Sequence, residues 1–150
     1  MNKYLKLAKD ILIPLLVGGF VSFIINPFID YGDLIRPPLS PPGWVFPVVW
    51  GILYFLMGVS FHIADKKNLN NNDKLLYYFQ LGVNALWSVF FFILKWRLFS
   101  FFWIVFLATL VYYMIKMFYK YSKFASYLQI PYLLWCIFAA YLNIGIYLLN

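Results

Sequence analysis

Side chains able to do ordinary catalysis are scarce in this sequence. It holds one histidine, His62, one cysteine, Cys136, five aspartates and no glutamate. A catalytic histidine needs oriented partners, and His62, near the end of a long apolar run, reads as an interfacial side chain. Cys136 sits inside another apolar run with no histidine beside it and reads as a small buried hydrophobe. One cysteine and one histidine cannot build a zinc site, and one cysteine excludes a disulfide framework within the chain. Asp10, Asp30, Asp33, Asp65 and Asp73 fall at the ends of apolar runs or between them, which argues against a proton relay inside a membrane. What remains is aromatic: 24% of the residues are Phe, Tyr or Trp, and such rings bind flat apolar ligands by stacking and burial.

Three segments set these rings at helical spacing. Trp50, Tyr54, Met57 and Phe61 share one face, suited either to packing on a neighbouring helix or to lining a cavity. Gln80, Asn84, Trp87 and Phe91 share another. An amide at membrane depth is costly unless bonded inward, so Asn84 is either a link between helices or a polar contact in a cavity. In the third segment Trp135, Ala139, Leu142 and Asn143 lie along one face. A large ring beside a small alanine leaves a groove for a planar molecule, or the alanine permits close helix approach.

The elements that carry these faces follow from composition. Of 150 residues, 65% are hydrophobic and 11% charged, and mean hydropathy is +0.79. A chain this short cannot hide so much apolar surface from water, and soluble domains carry about a quarter charged residues. The expected solvent is the lipid bilayer. Five runs reach the roughly 20 residues that a span requires: 11–29, 44–64, 75–94, 99–119 and 127–149. Backbone groups in hydrocarbon must be satisfied within the segment, so the fold class expected is an all-α integral membrane protein, one domain of five transmembrane helices. The proline-rich stretch 30–43 cannot be regular helix and forms a stiff loop, while Asn72 or Asp73 is the expected N-cap of the third helix. The N-terminal lysines precede no small-residue cleavage site, so the first apolar run is expected to remain as a span.

The formal charge is +7. Nine basic residues (Lys3, Lys6, Lys9, Lys66, Lys67, Lys74, Lys116, Lys120 and Lys123) fall on one side of a five-span protein, against Arg36, Lys95 and Arg97 on the other. This charge reads as topology and lipid contact rather than nucleic-acid binding. It places the N-terminus in the cytoplasm and the C-terminus outside, with a bacterial cell membrane as the expected host.

The order of the motifs carries a resemblance. Pro41-Pro42-Gly43-Trp44-Val45-Phe46 precedes Trp50-x-x-x-Tyr54-x-x-Met57-Gly58. Then come Gln80-Leu81-x-x-Asn84-x-x-Trp87-Ser88 and Pro131-Tyr132-x-x-Trp135-x-x-Phe138-Ala139-x-x-Leu142-Asn143. Together they resemble the translocator protein family, the tryptophan-rich sensory proteins or peripheral benzodiazepine receptors, over nearly the whole chain. The resemblance implies a five-helix bundle whose cavity is closed by the proline-rich loop. It implies binding of protoporphyrin IX and haem-like tetrapyrroles, of isoquinoline carboxamides and benzodiazepines, and in some lineages of sterols, with no cofactor required. By that analogy Trp50 and Trp135 face the ligand, with Asn84, Tyr54, Phe46, Trp87 and Asn143 around it. Ser22, Ala139 and Leu142 complete the walls, and Tyr31, Pro41 and Pro42 form the lid.

The resemblance has gaps. Only Leu148, Leu149 and Asn150 follow Tyr147, so the basic residue of the family's C-terminal sterol element is missing. A homodimer stays open, but Gly82 lacks a small partner one turn away, whereas Gly18 and Ser22 form such a pair in the first helix. Two functions are expected in order: a receptor, sensor or carrier for porphyrins, then light- and oxygen-dependent degradation of protoporphyrin IX with Trp50 or Trp135 as electron or radical partner. An ion channel is disfavoured by the lack of charged residues and of a continuous polar stripe within the spans.

Overall fold

The computed structural model describes residues 2–150, and all regular structure among them is helical. Six helices form five membrane-length spans: α1 (Lys3–Ile25), α2 (Val45–Asp65), α3 (Asn71–Ser88), α4 (Arg97–Tyr119), α5 (Lys123–Tyr127) and α6 (Ile130–Leu149). A π turn, Val89–Ile93, extends α3, and the short α5 and α6 together make the fifth span.

Helices α1 and α3 start earlier than hydropathy alone suggests, because polar caps rather than apolar content set their ends. Asn2 caps α1, accepting the Tyr4 N–H at 2.8 Å, so the helix begins at Lys3 and not near residue 11. The cap of α3 is Asn70 rather than Asn72 or Asp73; its side chain accepts the Asp73 N–H at 2.8 Å. The fifth span is broken at Leu128 and Gln129, and Pro131 starts the new helix, where a missing N–H costs nothing.

Helix α1 packs along α2 and touches α3 only sparsely, while α4 packs on α3 and α6. Met57, Ile104, Leu107, Val111, Met114, Phe118 and Cys136 are fully buried in the core. Gly58 permits the α1–α2 crossing: a Cβ there would lie 2.5 Å from the Asp10 carbonyl oxygen. That carbonyl is free because Pro14, four residues on, has no N–H to offer it.

Asp10 and His62 depart from the sequence reading. Asp10 lies inside α1 and His62 inside α2, and both are buried. His62 Nδ1 is 2.9 Å from an Asp10 carboxylate oxygen, which also accepts from Lys6 Nζ at 2.6 Å. Lys6 reaches Asp65 at 2.8 Å, and Asp65 lies 3.5 Å from Lys74. Burial of His62 at the crossing, rather than placement at an interface, follows from the carboxylate that faces it. The cluster ties one end of α1 to α2 and α3.

The proline-rich segment at the other end is pinned onto the end of α6. The Asn150 side chain accepts the Ile35 N–H at 3.1 Å and donates to the Ile35 carbonyl at 2.8 Å. Tyr141 donates to the Pro38 carbonyl at 2.7 Å, and Pro37 fills the space left by Gly145. Leu39 holds φ at 70°, a left-handed turn within the segment.

Candidate ligand cavity

Beneath this segment lies a cavity of about 470 Å³ between α1, α2, α3 and α6. That volume falls in the range of small-molecule sites. Helix α2 contributes Phe46, Pro47, Trp50, Gly51 and Tyr54; α3 and its π turn contribute Asn84, Trp87, Ser88, Phe91 and Phe92. Ala139, Leu142, Asn143 and Ile146 come from α6. Helix α1 supplies Leu15, Gly18, Gly19, Val21, Ser22 and Ile25, with Asn26, Ile29, Tyr31 and Gly43 towards the loop.

The wall is apolar with a few fixed polar groups. Tyr54 donates to Asn84 Oδ1 at 2.5 Å, and Asn84 Nδ2 donates to the Tyr132 hydroxyl at 2.8 Å. Tyr132 in turn donates to Gln80 Oε1 at 2.8 Å. Asn84 therefore both links helices and presents itself to the cavity. Near the loop, Trp87 Nε1 donates to Asn143 Oδ1 at 3.0 Å, and Asn143 Nδ2 donates to the Arg97 carbonyl at 2.7 Å. These bonds fix the indole and amide orientations before anything is bound. Aromatic faces do the rest: Trp50 stacks on Tyr54 with ring centres 5.7 Å apart, and Trp87 on Phe91 at 5.1 Å.

Charge lies at the loop end of the cavity. Arg97 Nη2 contacts both Asp30 carboxylate oxygens at 2.8 and 2.9 Å, and Lys95 Nζ stands 3.4 Å from the same group. Burial alone would raise the Asp30 pKa; the Arg97 hydrogen bonds and charge, with Lys95, outweigh it and hold the carboxyl below its ordinary value. Arg36 stacks over the Tyr31 ring, 4.7 Å from its centre.

Ten of the side chains singled out from sequence come together on this wall: Ser22, Tyr31, Phe46, Trp50, Tyr54, Asn84, Trp87, Ala139, Leu142 and Asn143. Three stand elsewhere. Trp135 is off the wall because Phe46 and Trp50 intervene; both meet it edge-on, with centres 5.7 and 6.4 Å away. It borders instead an apolar groove with Val49, Ile52 and Leu53. Pro41 and Pro42 are also off the wall, and Pro41 acts through its carbonyl, which accepts the Tyr31 hydroxyl at 2.6 Å. Of the α1 wall only Ser22 is expected from the sequence; Leu15, Gly18 and Ile25 are ordinary apolar residues that carry no signal of a cavity. Of the pair Gly18 and Ser22, Gly18 lies against Tyr54 and Ser22 on the cavity.

Fold and cavity together define a helical membrane protein built around an aromatic internal pocket. The family model described as TspO/MBR family matches residues 11–149, so the chain belongs to that family. It is 39% identical over 150 residues to the tryptophan-rich protein TspO of Archaeoglobus fulgidus, covering 97% of each chain. The tryptophan-rich sensory protein of Cereibacter sphaeroides is 30% identical, over 85% of this chain and 80% of its own. The human translocator protein is 32% identical, over 75% of this chain and 70% of its own.

Proposed function

We propose that this protein is a membrane receptor or carrier that takes protoporphyrin IX and related planar apolar molecules into the cavity between α1, α2, α3 and α6. The observation that carries this reading is the combination of a volume of about 470 Å³ with stacked aromatic pairs and two buried amides, Asn84 and Asn143, on its wall. A flat macrocycle gains from burial against Trp50 and Trp87, while Asn84 and Asn143 set its orientation. Its carboxylates would lie at the loop end, where Arg36 stands exposed and outside any ion pair among the described residues. The charge distribution supports an N-terminus on the cytoplasmic side of the membrane. The relatives named as sensory and translocator proteins accord with a binding role.

A second reading is favoured by the same tryptophans: a bound porphyrin, excited by light in the presence of oxygen, is degraded with Trp50 as electron or radical partner. The test is a titration of detergent-purified protein with protoporphyrin IX in the dark, followed by Trp fluorescence. Illumination and porphyrin absorbance follow. Saturable quenching weakened by Trp50→Phe and Asn84→Ala supports the receptor reading, and absence of saturable quenching overturns it. Light-driven loss of porphyrin that requires Trp50 moves the assignment to the degrading activity.

A further inference from the structure

The cavity is not walled equally on its two flanks. On α1 the stripe that faces α2 is covered: Gly18 lies against the Tyr54 ring, and Ile25, two turns on, is buried. The adjoining stripe is not. Gly19, Ser22 and Asn26 line the cavity and are solvent-accessible. Accessible wall residues beside a covered stripe mark a side on which the cavity opens.

The facing edge belongs to α3 and its π turn. Asn84, Trp87 and Phe91 are buried, whereas Ser88 and Phe92, one position further round, line the cavity and are half-exposed. The π turn is part of this edge: its wider winding puts the consecutive Phe91 and Phe92 both on the cavity. The two edges meet at fewer positions than α1 and α2 do, and no side-chain hydrogen bond or ring contact joins them among the described residues. The Ser22 and Ser88 hydroxyls make no hydrogen bond within the protein, and the ring contacts of Phe92 run only to Trp87 and Phe91. A side chain on Gly19 would meet nothing within 4 Å. Small residues on both sides keep the slit clear.

Its depth decides what can use it. Ser22 lies in the last turn of α1, which ends at Ile25, and the 3-10 turn Asn26–Phe28 separates it from the loop end. The distance is roughly 10 Å in all, at about 1.5 Å per α-helical and about 2.0 Å per 3-10 residue. With a hydrocarbon layer about 30 Å thick, that level is within the acyl chains. Meanwhile the segment 31–43 crosses the polar approach and is pinned there, with Tyr31 bonded to Pro41 and Ile35 to Asn150. It leaves Ile29, Gly43 and Pro47 as exposed wall residues at that end.

We propose that the cavity is loaded sideways from the bilayer, through the slit between α1 and α3 bordered by Gly19, Ser22, Ser88 and Phe92, and that its cargo is therefore an apolar molecule already dissolved in lipid. Such a molecule passes from acyl chains to aromatic wall without exposing its apolar surface to water. Only the identity of the cargo rests on the porphyrin reading above; the slit does not.

The test needs no porphyrin. The full chain is reconstituted in phosphatidylcholine vesicles containing a small apolar diazirine that partitions into the bilayer, then illuminated, and adducts are mapped by mass spectrometry. Adducts are expected on Trp87 and Leu142, although both are buried in the bundle. Gly19→Phe should lower them tenfold or more, while adducts on the lipid-facing Leu86 and Phe79 stay unchanged as the internal control. Ser88→Phe, which fills the slit from the other edge, should do the same and covers the case in which the first variant does not fold. Absence of adducts on the buried wall, or undiminished adducts in a folded slit-filled variant, overturns the proposal. A protein that binds no protoporphyrin IX in the earlier titration yet shows slit-dependent adducts loses the porphyrin reading and keeps the slit.

Discussion

The ring of Tyr54 occupies the space that a side chain on Gly18 would need: a Cβ at Gly18 would collide with its ring carbons. Tyr54 cannot withdraw freely, because its hydroxyl is bonded to Asn84 and its other face meets Trp50. Gly18→Val is therefore expected to cost about 1–3 kcal/mol as overpacking and to push Tyr54 into the cavity. Thermal unfolding in detergent should show a lowered midpoint for Gly18→Val and none for Gly19→Ala, whose Cβ meets nothing. Equal midpoints for the two variants would sink the account of this contact.

Gly18 also shows where sequence reading stops. The five spans were legible because twenty apolar residues in a row leave few alternatives, and the wall residues of α2 and α3 were legible because Trp, Tyr and Asn recur at helical spacing. Glycine and leucine carry no such mark, so the α1 wall emerged only once α2 was seen beside it. Trp135 fails for the opposite reason. Its type and spacing suit a wall residue, but whether a ring reaches the cavity depends on what α2 places in front of it, and Phe46 and Trp50 stand there. Asp10 and His62 lie 52 positions apart, and no local pattern announces that pair.

Asn84 satisfies two buried phenols at once, Tyr54 and Tyr132. Asn84→Leu keeps the volume but leaves the Tyr54 hydroxyl without its acceptor, while Tyr132 keeps its bond to Gln80. A buried polar group left without a bond costs about 1–3 kcal/mol. Asn84→Asp retains an acceptor for Tyr54 and should be the milder change only when protonated, so its deficit should grow as pH rises. Denaturation curves of the two variants at pH 5 and pH 8 check this. A leucine variant as stable as wild type would mean that water replaces the amide.

Asp30 joins the loop end of α1 to Arg97 at the start of α4. Because its folded pKa is held below the ordinary 3.8, its contribution is complete above that value and disappears as pH falls through the lower, folded one. The difference in thermal midpoint between wild type and Asp30→Asn should be level from pH 7 to pH 5 and shrink below about pH 4. Salt should reduce it only in part, since Arg97 is mostly covered. A difference that widens on acidification would show that Asp30 is not held as a carboxylate.

Trp50 and Trp135 are exchangeable by spacing, but only Trp50 lies on the cavity wall. Trp50→Phe keeps an aromatic face but removes part of the stacking area and the more easily oxidised ring; it should weaken protoporphyrin IX binding by roughly tenfold, equivalent to about 1.4 kcal/mol. Trp135→Phe acts through Phe46 and Trp50 and should change affinity by less than about threefold, well under 1 kcal/mol. Its indole N–H is buried without a partner, and removing it relieves an unsatisfied group, so the variant should be no less stable to heat despite the smaller ring. Titration and thermal unfolding of the two variants side by side separate the roles. Should Trp135→Phe lose affinity as strongly as Trp50→Phe, the ligand does not sit where α2 screens Trp135, and the groove bordered by Val49, Ile52 and Leu53 becomes the place to look for it.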